Sequence, residues 1–296
     1  MSDYVIRGTA ANGQVLAFAC DTTEMVEETH RRHQTTNTAT AAIGRTMSAA
    51  AMMAAGLKEE HESITINIQG NGPIGRVIAQ ATGAGCVRGY VDNPKVDLPL
   101  NSKGKLDVGG AIGIGVMSIE KDLGLKEPYI GSTHLVSSEI AEDLAYYFTV
   151  SEQIPSAVSL GVLANEDGSV WKSGGYIIQL LPGASDEIAD ELQKRVEAFP
   201  QLTHFLAQGH TPEEVLETLL EGMGYETLGK VDVRFQCFCN KHKVEGALVS
   251  IGKEDLDSLI AEGETIEMTC HFCNEKYYFT VPELKALRRW MDREEE

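Results

Sequence analysis

The sequence predicts an α+β protein with a large N-terminal sheet-and-helix domain, a helical linker and a small, cysteine-bearing C-terminal domain. Three observations carry this. Strand-like and helix-like runs are mixed over residues 1–180 without regular βαβ alternation. Around Leu181-Pro-Gly183 the pattern changes to short acidic helices, over residues 181–230. Four of the six cysteines then fall within residues 231–296.

In the first block, residues 4–9 and 15–20 alternate as strands, and Asn12-Gly13 between them predicts a tight hairpin turn. Asp21 and Glu24 have the spacing of a capping box for a helix reaching His33. A second helix, near residues 36–57, is rich in Ala, Ser and Gly and so can pack closely under a sheet. Ile64, Ile66 and Ile68 alternate with polar residues as in a half-buried strand. Further strands with glycine turns are expected to about Val116. A helix is expected from Ser138 to Phe148, and strands over 161–165 and 174–181.

In the linker, Ser185 is placed to cap a helix whose Ile188, Leu192, Val196 and Phe199 share one face. Thr211-Pro212 opens another, carrying Val215, Leu216, Leu219 and Leu220. Ten acidic residues stand against three basic ones over 181–230. Short, self-repelling helices of this kind need a neighbour to cover their leucines. The last block predicts a strand over 231–236, two short helices divided near Gly252, and strands over 264–269 and 276–280. A final helix is boxed by Thr280 and Glu283.

Composition narrows the function. A formal charge of −19 over 296 residues disfavours nucleic acid and anionic membrane surfaces. The most apolar run, 108–119, is shorter than the roughly 20 residues a spanning helix needs. The N-terminus lacks a basic segment followed by an apolar one, so a cytoplasmic protein is expected. Gly70-Asn-Gly72-Pro-Ile-Gly75 matches a dinucleotide fingerprint. However, residues 76–83 reach another glycine without opening a helix, so a turn between strands is the better reading. No G-x-S-x-G or H-E-x-x-H motif is present, and no enzyme is expected.

The chemistry lies in Cys237-Phe-Cys239 and, thirty residues later, Cys270-His-Phe-Cys273. Residues two apart on an extended chain point the same way, and a tight turn converges the second pair. Together they make a tetrahedral S₄ donor set that suits one zinc ion, although soft thiolates also suit iron. Such a site is closed and offers no open position for substrate. A domain of this size is weakly stabilised by its own core, so metal binding contributes much of its folding free energy. Sulfurs around zinc lie roughly 3.8 Å apart, given Zn–S near 2.3 Å, and each pair is local enough to close to a disulfide of about 2.05 Å. His242 and His271 read as neighbours of the site. Cys20 and Cys86 read as buried thiols.

The chain resembles the redox-regulated heat-shock chaperones of the 33 kDa chaperonin family. Besides the cysteine pattern, the resemblance rests on Gly70-Asn-Gly-Pro-Ile-Gly75, Gly83-Ala-Gly-Cys-Val-Arg-Gly-Tyr-Val91 and Ser151-Glu-Gln-Ile-Pro155. It implies an ATP-independent holdase, inactive when reduced and zinc-bound. Oxidation would form Cys237–Cys239 and Cys270–Cys273 disulfides and release zinc. The protein would then bind unfolding clients, commonly as a dimer rather than the reduced monomer. The sequence itself supplies a physical route: once the last domain loses its fold, the acidic linker is expected to lose its cover and expose Leu192, Val196, Val215, Leu216, Leu219 and Leu220 as the client surface. The competing readings are a zinc-ribbon adaptor or nucleic-acid module on a globular domain, and an enzyme with structural zinc.

Overall fold

The structure is a computed structural model that describes residues 2–293. It divides into two compact units, Met1–Gln236 and Cys237–Glu296. The first unit opens with the hairpin β1 (Tyr4–Ala10) and β2 (Val15–Asp21), then α1 (Thr23–His33) and α2 (Asn37–Ala54). There follow β3 (Ser63–Gly70), β4 (Arg76–Thr82), β5 (Cys86–Val91), α3 (Val108–Ile112), β6 (Gly115–Asp122), β7 (Tyr129–His134) and α4 (Ala141–Val150). It ends with β8 (Ser156–Ala164), β9 (Val170–Leu180), α5 (Asp186–Ala198), α6 (Leu202–Ala207), α7 (Pro212–Leu219), β10 (Glu226–Asp232) and β11 (Arg234–Phe235).

These strands form two sheets, ordered β10-β1-β2-β9-β8 and β11-β5-β4-β3-β6-β7. All pairs are antiparallel except β11 with β5. The Ala-rich α2 touches strands of both sheets and joins one core with Ile64, Ile66, Ile68, Val77 and Met117. Its small residues permit that approach: a Cβ on Gly44 would stand 2.7 Å from Val162 and 2.8 Å from Val26. The 70–75 glycines form the β3–β4 turn, as expected. A Cβ at Gly70 would meet the Ile112 carbonyl, and the Asn71 side chain accepts a hydrogen bond from the Ile114 N–H at 2.9 Å.

Several local expectations need correction. The β1–β2 loop spans residues 11–14, with positive φ at Ala11, Asn12 and Gly13, and is no two-residue turn. No Asp21–Glu24 box caps α1. Asp3 does so from β1's approach, accepting from the N–H groups of Glu24 at 3.1 Å and Met25 at 2.6 Å, while Asp21 accepts from Thr23. Helix α4 begins at Ala141, not Ser138. Asp143 gathers the N–H groups of Val136, Ser137, Ser138 and Ile140, which holds Ser138 and Ile140 at positive φ. Strand β7 and helix α6 carry no clear sequence signal. Residues 129–134 show no apolar alternation, and α6 is a short run just beyond Pro200.

The expected boundaries after residues 180 and 230 also shift. The first unit runs on to Gln236. Leu192, Val215, Leu216, Leu219 and Leu220 pack with Ile6, Val15, Ala17, Ala19, Tyr176 and Ile178, so the five-stranded sheet is the neighbour that covers the leucines. Strand β10 then hydrogen-bonds β1 as that sheet's edge.

The second unit comprises α8 (Lys241–Ser250), α9 (Lys253–Glu262), the hairpin β12 (Ile266–Thr269) and β13 (Lys276–Phe279), and α10 (Val281–Arg293). Among the described residues its core cluster has four buried apolar side chains, Leu248, Leu256, Phe279 and Leu284. Among the described residues no helix is long and apolar enough to cross a membrane.

Candidate metal centre

All four clustered cysteines lie in the second unit, and three local devices position them. Cys237 and Cys239 sit on the irregular segment before α8, which ends where the Asn240 side chain caps that helix by accepting from the Lys243 N–H at 2.9 Å. Cys270 and Cys273 occupy the β12–β13 loop. There the Cys270 N–H donates to the Glu275 carbonyl at 2.9 Å, and the Asn274 N–H donates to the Cys270 carbonyl at 2.8 Å. Asn274 takes a left-handed φ of 59°, a conformation Asn tolerates better than most residues. Finally, Lys241 at the start of α8 pairs with Glu283 in the first turn of α10 at 2.6 Å.

The four Sγ atoms lie within 4.8 Å of one another, and among the described residues they form the one His/Cys/Asp/Glu group of this kind. Cys237 and Cys270 approach to 3.8 Å, and Cys239 and Cys273 to 3.3 Å. The Tyr277 hydroxyl stands 3.1 Å from the Cys239 Sγ. Cys273 is buried and the other three are half-buried. Burial pushes the thiols of Cys270 and Cys273 up. Four clustered thiolates also repel one another, so a cation is the natural means of keeping them ionised together. The Cys237–Cys270 separation equals the roughly 3.8 Å of a tetrahedral S₄ site, and the Cys239–Cys273 separation is about half an ångström shorter. The four-cysteine group could therefore hold a metal ion.

The remaining candidates separate as follows. His242 is exposed and faces Glu245 at 3.1 Å, and His271 is exposed; neither joins the sulfur group. Cys20 and Cys86 are buried in the first unit, where Cys86 approaches the Gln236 side chain at 3.2 Å. Tyr277 is the neighbour that sequence reasoning missed. Its place four residues after Cys273 was the only signal available. The six linker residues are not part of this centre. Five are buried against the sheet, and Val196 is half-buried beside them.

Known proteins match nearly the whole chain. The model of the family described as Hsp33 protein matches residues 3–280. A 33 kDa chaperonin from Agathobacter rectalis is 50% identical over 288 residues, covering 97% of this chain and all of the relative. One from Thermoanaerobacter is 44% identical over 290 residues, covering 98% of this chain and 99% of the relative. The crystal structure of the 33 kDa chaperonin (heat shock protein 33 homolog) from Thermotoga maritima superposes with a TM-score of 0.91 at 40% identity, covering 99% of this chain and 100% of that one. With its two-sheet first unit, its four-cysteine second unit and these full-length matches, the chain belongs to the Hsp33 family of chaperones.

Proposed function

We propose that this protein is a redox-regulated, ATP-independent holdase, kept inactive by one zinc ion on Cys237, Cys239, Cys270 and Cys273. The observation that carries the reading is the convergence of four sulfurs inside a unit whose own core is four buried side chains. Zinc, when bound, supplies the positive charge that holds four thiolates together and joins the segment before α8 to the β12–β13 loop.

Peroxide is the oxidant class that fits. Each pair of thiolates gives two electrons to one peroxide, which takes up two protons and leaves as two waters. One disulfide forms between Cys237 and Cys239 and one between Cys270 and Cys273. Each pair is local to one segment, so neither closure needs long-range movement. With all four sulfurs paired, no thiolate would remain on Cys237, Cys239, Cys270 or Cys273 to hold a zinc ion.

Loss of the second unit's fold frees the chain that follows Gln236. The helices α5–α7 lie between β9 and the edge strand β10. Their release from the sheet would expose Leu192, Val196, Val215, Leu216, Leu219 and Leu220 to unfolding clients, with the chain's acidity keeping complexes soluble. The reduced form is a monomer in this reading and the oxidised form a dimer. The protein acts in the cytoplasm, on proteins and not on nucleic acid or membranes.

The test compares suppression of aggregation of a heat-unfolded protein by the reduced, zinc-loaded form and by the peroxide-treated, warmed form, with released zinc measured. Protection by the oxidised form alone, with one zinc released per chain, is expected. Equal protection by both forms refutes the switch.

A further inference from the structure

Strand β8 is the outer edge of the five-stranded sheet, and its only strand partner is β9. It is nine residues long, Ser-Ala-Val-Ser-Leu-Gly-Val-Leu-Ala, with no proline and no charge. Natural edge strands usually carry one or the other to discourage pairing with another chain. Eight of the nine residues are half-buried, without the in–out alternation of an interior strand. Among the described residues no backbone hydrogen bond joins this strand's N–H groups to anything beyond β9.

A groove of about 740 Å³ runs along this strand, between the loop around Lys103 and the chain joining α5 to α6. Its apolar lining includes Leu160, Val196 and Phe199. Its charge is unusual for this molecule. The chain has 44 acidic residues and 25 basic ones, yet Arg45, Lys103 and Lys105 line the groove together with no Asp or Glu; Asp107, Glu139 and Glu142 lie in the adjoining hollow that shares these three cations, Ser159 and Leu160. Arg45 is paired with Glu139 at 2.8 Å, but Lys103 and Lys105 are exposed and make no ion pair among the described residues. Their loop is preorganised. The Asn101 side chain accepts from both the Lys103 and Lys105 N–H groups at 3.0 Å, and the Asn101 N–H donates to the Lys105 carbonyl at 2.7 Å.

We infer that the free edge of β8 binds an extended polypeptide segment by strand addition, and that Lys103 and Lys105 select segments whose side chains alternate between apolar and acidic. Backbone pairing makes such a site tolerant of sequence, and the side-chain alternation of a strand sends one set of residues to the apolar lining and the other to the lysines. The inference rests on the client-binding reading and names a further surface, built wholly within the first unit, which shares only Val196 with the linker residues named above and is present before oxidation.

The probe is a fluorescein-labelled peptide of alternating glutamate and valine, nine residues long like β8, titrated into the full-length reduced protein. Saturable, salt-weakened binding is expected. The double variant Lys103→Glu, Lys105→Glu should bind at least about tenfold more weakly, with unchanged circular dichroism and thermal midpoint. N-methylation of the peptide at alternate residues should abolish binding in one phase and spare it in the other, since only one backbone edge faces β8. Equal binding of a lysine–valine peptide, indifference to the double variant, or equal tolerance of both methylation phases overturns the proposal. Because these readouts need no oxidation, a failed aggregation assay with intact peptide binding would sink the switch and leave the groove standing.

Discussion

Leu216→Ala tests how the leucines of α7 are restrained. Leu216 is 0% exposed, and it packs in the cluster that α5–α7 share with the outer face of the five-stranded sheet. Truncating a fully buried leucine costs about 2–5 kcal/mol, because the surroundings only partly collapse into the space. Here the lost contacts are those between the helices and the sheet, so the cost falls on their association. The population of the detached helices should rise roughly 30- to 5000-fold. If detachment is what exposes client-binding surface, the reduced, zinc-loaded variant should suppress aggregation without oxidant. Two measurements decide the matter on one sample: hydrogen exchange over residues 186–219, and light scattering of a heat-unfolded protein. Faster exchange with no gain in protection would refute the link between these leucines and clients. Zinc content must stay at one per chain, which separates helix release from damage to the metal centre.

Other expectations follow from the same geometry. Removing metal with a chelator should abolish amide protection around Phe279 and Leu284 while leaving Ile66 and Met117 protected. Structural zinc contributes about 10–16 kcal/mol, as much as a small domain's whole stability; retained protection at Phe279 would count against it. Tyr4→Phe removes the hydroxyl that donates to Glu213 at 2.5 Å and fastens α7 to β1, beside Lys230 at 3.4 Å from the Tyr4 ring. It should loosen α7 by about 1–2 kcal/mol in hydrogen exchange, the pair being partly solvated. Burial raises the Asp3 carboxyl to about 7, against two capping N–H groups that pull it down. Its folded-state value thus exceeds the unfolded one, so its contribution favours the folded state more as pH falls from 7 towards 4. Asp3→Asn should flatten that slope by up to about 1.4 kcal/mol per pH unit, and an unchanged slope in urea titrations would contradict the assignment.

Covering the linker leucines with the chain's own sheet constrains the proposed switch. The second unit is not needed as their lid. Strands β10 and β11 pair with β1 and β5, and β11 ends at Phe235, two residues before Cys237. Heat, which weakens the packing of acidic helices on a sheet, then complements oxidation.

The sequence by itself determined what depends on short spacing. Ile64, Ile66 and Ile68 alternate because a strand buries one face, and Thr211 with Pro212 opens α7 where expected. The two cysteine pairs announced a four-sulfur centre because each pair converges locally. Only the tertiary structure decided what depends on residues far apart. Asp3 caps a helix twenty-one residues away, β10 completes a sheet begun at Tyr4, and the leucines of α5–α7 find their cover on β1, β2 and β9. No local pattern encodes such partners. A leucine stripe records that a face must be buried, and only the folded chain says against what.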